Sequence, residues 1–177
     1  IITKHAEDTQ GGVLTASAGN FEKALGTARY GDSVSEDTFF RAYADYNSVR
    51  GAEDTAGREK KNDWDMTKVG FRADSYLTDT SNGMVQGNFY YGHRDDPFDA
   101  LPSAAGVLVG TQLLTQAPET QDLKGGHILG RHTWVFDDSS ELELQAYFDH
   151  TQRNFSILDY KTNQVDIDLQ HYFDLNE

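Results

Sequence analysis

Two runs decide the fold: Thr38-Phe-Phe-Arg-Ala-Tyr-Ala-Asp-Tyr-Asn-Ser-Val49 and, after a polar break, Trp64-Asp-Met-Thr-Lys-Val-Gly-Phe-Arg-Ala-Asp-Ser-Tyr-Leu77. In the first, Arg41, Tyr43, Asp45 and Asn47 alternate with Phe40, Ala42, Ala44 and Tyr46. In the second, Lys68, Gly70, Arg72 and Asp74 oppose Val69, Phe71, Ala73 and Leu77. Successive side chains of a strand point to opposite faces, so each run is a strand with one apolar and one polar face. Each is about ten residues long, more than an ordinary strand and close to what a tilted strand needs to cross a bilayer. The intervening segment, Arg50 to Asp63, is charged and without periodicity.

The rest of the chain repeats this unit. Strands are expected at about 12–19, 23–34, 38–49, 64–77, 83–93, 126–136, 141–151 and 163–173. Short turns fall at Ser35 to Asp37, Thr78 to Asn82 and Asp137 to Ser140. Longer connections fall at Arg50 to Asp63, Arg94 to Lys124 and Gln152 to Thr162. Pro97, Pro102 and Pro118 all lie in the second of these, as expected of residues hostile to central strands. Within it, Ala104 to Leu114 is mildly apolar and suits a small helix or hairpin. An up-and-down meander therefore has tight turns at one end and long loops at the other, the asymmetry of transmembrane barrels.

Composition narrows the function. A chain of 177 residues suits one domain, and a formal charge of -14 argues against nucleic acid, whose phosphates need a basic surface. Cysteine is absent, so neither disulfide nor thiolate chemistry is available. No run approaches the length of a transmembrane helix, and no basic segment followed by an apolar one reads as a signal peptide.

Alternation alone does not say which face is inside. In a soluble lipocalin-like barrel the apolar face points inward; in a membrane barrel it meets lipid. Long strands, uneven loops and aromatics gathered at strand ends favour the membrane arrangement. The fold class is then all-β, an antiparallel up-and-down transmembrane β-barrel, with about eight strands of a larger one. Its lipid-facing residues are Phe40, Ala42, Ala44, Val69, Phe71, Val85, Phe89, Leu142, Leu144, Phe148, Val165, Ile167 and Leu169. A stand-alone eight-stranded outer-membrane barrel with a structural or adhesive role is the other membrane reading.

Ile1-Ile2-Thr3-Lys4, followed by Glu7, Asp8, Gln10, Gly11 and Gly12, resembles the junction of plug and barrel in TonB-dependent outer-membrane receptors. Arg29-Tyr30-Gly31, Thr38 to Tyr46, Asp63-Trp64-Asp65-Met66, Gly70-Phe71-Arg72 and Asp74 are similar to that family's first barrel strands. The resemblance implies that residues 1–10 end a plug and 11–177 belong to the barrel wall. It implies uptake of an iron-siderophore or similar metal chelate at the bacterial outer membrane, with TonB engaged only through a segment missing here. Family barrels have about 22 strands, so this part alone is not expected to transport.

The site chemistry is sparse. Contacts to an anionic chelate are expected near the long-loop end, from Arg50, Tyr90, His93, Arg94, Phe98 and Tyr160, because arginine and aromatic rings suit charge-assisted bonding and stacking. The six histidines do not converge as a zinc site requires, since His127 and His132 fall on opposite strand faces. Glu141 with Glu143, and Asp166 with Asp168, read as a hydrated strand face rather than a glycosidase pair. No nucleophile elbow, P-loop or dinucleotide fingerprint is present. No metal, cofactor or enzymatic activity is expected.

Overall fold

The computed structural model describes residues 3–53, 55–57, 62–98, 117–154 and 159–174. The chain forms one eight-stranded antiparallel sheet: β1 (Gly11–Ser17), β2 (Glu22–Ser35), β3 (Thr38–Val49), β4 (Trp64–Thr78), β5 (Ser81–Phe98), β6 (Ala117–Asp137), β7 (Ser140–Asn154) and β8 (Asp159–Phe173). Strand order follows the chain from β1 to β8 without a crossover. The sheet is open: among the described residues no pairing joins β1 to β8. A 3-10 turn, Glu7–Thr9, precedes it. No helix among the described residues is long and apolar enough to cross a membrane, which leaves spanning by strands untouched.

Strand pairing builds two continuous faces. One row crosses the sheet as Tyr30, Ala42, Phe71, Gly87, Ile128, Phe148 and Val165, each opposite the next. The adjacent row on the other face reads Arg29, Tyr43, Gly70, Asn88, His127, Asp149 and Gln164. Large rings sit beside glycines along these rows. A Cβ on Gly70 would meet the Tyr43 hydroxyl at 2.5 Å, and one on Gly87 would meet the Phe71 ring at 3.1 Å.

The apolar face is the exposed one. On the edge strand β8, Val165, Ile167 and Leu169 are 69%, 70% and 65% exposed, and of the intervening acids Asp166 is exposed as well and Asp168 half-buried, so the contrast is read on the inner strands. Along β7, Leu144, Ala146 and Phe148 are exposed and Gln145, Tyr147 and Asp149 are not. Ala6 and Val49 are the buried apolar residues among those described, and no large side chain is fully buried. A single layer has no second layer against which to close a hydrophobic core.

Each short turn, at Glu36-Asp37, Asp79-Thr80 and Asp138-Ser139, carries a register shift just before or across it, between Ser33 and Ser35, Tyr76 and Thr78, and Val135 and Asp137. Among the described residues no non-glycine has positive φ, so these are not the left-handed hairpin turns. The bulges absorb the twist mismatch instead.

The strand limits correct the sequence reading in one place above all. The connection expected from Arg94 to Lys124 is shorter, because β5 runs to Phe98 and β6 begins at Ala117, with Pro97 opposite Pro118. Beyond Asp95, whose amide still reaches the Asp63 carbonyl at 2.9 Å, this pair is a two-stranded ribbon. A proline there forfeits only an outward N–H, which is why both are tolerated. The expected helix or hairpin at Ala104 to Leu114 lies outside the described residues. β7 and β8 likewise extend further than expected, to Asn154 and from Asp159.

Candidate functional site

The most connected feature on the polar face is the seat of the N-terminal segment. Arg41, Arg72 and Gln86 are register partners on β3, β4 and β5, so their side chains form one row. Asp74 follows Arg72 by two residues and shares its face. The Arg72 guanidinium holds the Asp74 carboxylate in a fork, with Nη2 at 2.7 Å from Oδ1 and Nε at 2.8 Å from Oδ2. Both side chains are buried, at 8% exposure each.

This pair then grips the main chain of residues 3–6. Arg72 Nη1 donates to the Thr3 carbonyl at 3.1 Å and to its hydroxyl at 2.6 Å. The Ala6 amide donates to Asp74 Oδ2 at 2.7 Å, and Arg41 Nη1 donates to the Lys4 carbonyl at 2.8 Å. The Thr3 hydroxyl donates to Gln86 at 2.9 Å, and the Tyr76 hydroxyl to Glu7 at 3.2 Å. The segment crosses above Gly31, where a Cβ would meet the Thr9 carbonyl oxygen at 2.5 Å. Only glycine lets the two backbones come this close. Main-chain recognition by buried charges makes this a mechanical anchor.

The second feature is a cleft of about 460 Å³ at the long-connection end. It brings together Arg50, His93 and Arg94 of the expected contacts, with Phe21, Trp64 and Met66. His93 Nδ1 lies 2.6 Å from Asp122 Oδ1, and its ring meets Tyr91 edge-on at 4.7 Å. Lys23 Nζ donates to Asp63 at 2.8 Å beside the same connection. That hydrogen bond holds the Asp63 carboxyl below the usual carboxylate range.

The remaining expected contacts are not gathered there. Tyr90 sits deeper on the polar face, opposite Lys68 and Gly125, with its hydroxyl 3.2 Å from Thr151 Oγ1. Tyr160 is exposed on β8 opposite Arg153, with β7 between it and the cleft. Phe98 ends β5 opposite Ala117, and its side chain lies outside those described.

Among the described residues no three or more His, Asp or Glu side chains converge as a metal site would require. His127 pairs with Asn88 and Asp149, His132 with Gly83 and Leu144, so the two lie on opposite faces. The anchor residues Arg41, Arg72 and Asp74 stood out in the sequence as strand motifs and not as a site. The available signal was an arginine and an aspartate two apart on one strand face. Their partners are about 70 residues away in the chain, which alternation does not reach. No protein-family model, curated protein or solved structure matches this chain.

Proposed function

We propose that this sheet is a wall segment of a larger outer-membrane barrel of the TonB-dependent receptor type, serving uptake of an iron-siderophore or similar metal chelate. The observation that carries the reading is the arrangement of the two faces. A continuous apolar face is exposed, and the polar face holds the N-terminal segment through buried Arg72 and Asp74. That is the reverse of a soluble barrel and the order expected of a wall between lipid and a hydrated lumen. The anchored segment supports the plug-junction assignment. The cleft lined by Arg50, Arg94 and Trp64 supports contact with an anionic, aromatic chelate at the long-loop end.

The two tryptophans test the faces. Trp134 shares the apolar side with its partner Leu142, and Trp64 shares the polar side with Met66. In vesicles of lipid brominated near the headgroup, Trp134 in a Trp64→Phe variant is expected to be quenched. Trp64 in a Trp134→Phe variant is expected to keep its fluorescence. Equal quenching of both, or of neither, would overturn the membrane reading.

A further inference from the structure

Three arginines gather on the polar face where β2, β3 and β4 pair. Arg29, Arg41 and Arg72 lie close together: Arg41 pairs with Gly31 and Arg72, Arg29 pairs with Tyr43, and Arg41 feels the charges of both other arginines. Asp74 is already held in the Arg72 fork. Arg41 spends its bonds on the Lys4 carbonyl and the Thr9 hydroxyl. Arg29 Nε is buried without a hydrogen-bond partner, and Arg29 makes no ion pair among the described residues. The other acids nearby keep their charge but bond to hydroxyls and not to these arginines. Asp45 accepts from Thr27, Glu7 accepts from Tyr76, and Asp8 acts on the same Tyr76. In a chain of charge -14, two guanidiniums with no ion pair of their own among the described residues are an exception that needs a cause, although Arg41 also feels Asp74.

Arg29 is half-buried with its Nε enclosed and unpaired; an enclosed donor without a partner is costly, and a carboxylate presented to the guanidinium offers it charge-assisted bonds. We propose that Arg29 and Arg41 form an anion site on β2 and β3 that takes a carboxylate. It stands apart from the long-loop cleft, whose lining includes neither arginine. Its ligand is either a small free carboxylate or an acidic side chain of a polypeptide lying on this face.

The test uses the full chain refolded in detergent micelles, with arginine side-chain N–H resonances followed during a citrate titration at constant ionic strength. The Arg29 Nε–H signal is expected to shift saturably. In Arg29→Gln the shift of the neighbouring Arg41 signal is expected to need about tenfold more citrate, the loss of one charge-assisted bond. A linear, non-saturating response of Arg29 would overturn the site, as would an unchanged midpoint in Arg29→Gln. The first reading is made on the unaltered chain and does not depend on the variant folding. Repeating the titration with a short glutamate-rich peptide separates the sources: tighter peptide binding assigns the site to a polypeptide acid, tighter citrate binding to a small carboxylate.

Discussion

At the scale of single residues, Asp74 is the most consequential position. It neutralises buried Arg72 and accepts the Ala6 amide. Removing one partner of a buried pair leaves the other charged and unpaired, which costs more than deleting both. Asp74→Ala is expected to lower unfolding stability in micelles by about 3 kcal/mol, and Arg72→Ala/Asp74→Ala by less. Urea unfolding of both variants checks the order, and a double variant worse than the single would refute it. Gly31→Ala addresses the same anchor from the other side. Its methyl would push against the Thr9 carbonyl, so hydrogen exchange of the Ala6 amide is expected to accelerate while β5 amides keep their protection. Alternation predicted the shared face of Arg72 and Asp74. That this face receives residues 3–6 depended on contacts remote in sequence.

At the scale of elements, strand identity follows from period-two alternation, and strand length from what lies beside each strand. Leu144 illustrates the first: it is exposed on β7 between His132 and Leu169. If that face meets lipid, Leu144→Arg is expected to lower folding stability in vesicles by about 2–4 kcal/mol at mid-bilayer. Equal folding yields for both proteins would sink the assignment. The β5–β6 ribbon illustrates the second, since proline is harmless once no further strand pairs at its edge. The Lys23–Asp63 bond ties the connection after β3 to β2. Because Asp63 is held below its unfolded value, its contribution is present above a pH of about 3.9 and is lost as pH falls through the lowered value. Hydrogen-exchange protection of the Arg50 amide, bonded to the Phe21 carbonyl at 2.9 Å, is expected to fall on acidification. In Lys23→Met it is expected to be low throughout.

At the scale of the whole molecule, an open sheet has two unpaired edges, on β1 and β8. Such edges template further pairing, and the exposed apolar face adds to the tendency. The chain by itself in water is therefore expected to self-associate despite its charge of -14. Light scattering at micromolar concentration checks this, and a monodisperse monomer without detergent would contradict both the open edges and the lipid-facing assignment.

The sequence by itself determined the strands, their order, the uneven ends and the composition of each face, because all of these are local consequences of alternation and turn chemistry. Only the tertiary structure decided that the sheet is open, that β5 and β6 reach past their prolines, and that the polar face binds the N-terminal segment. Those depend on which edges find partners and on where a buried arginine and aspartate meet a main chain dozens of residues away. Alternation assigns side chains to faces, but closure and docking are settled by contacts that only the folded sheet brings into range.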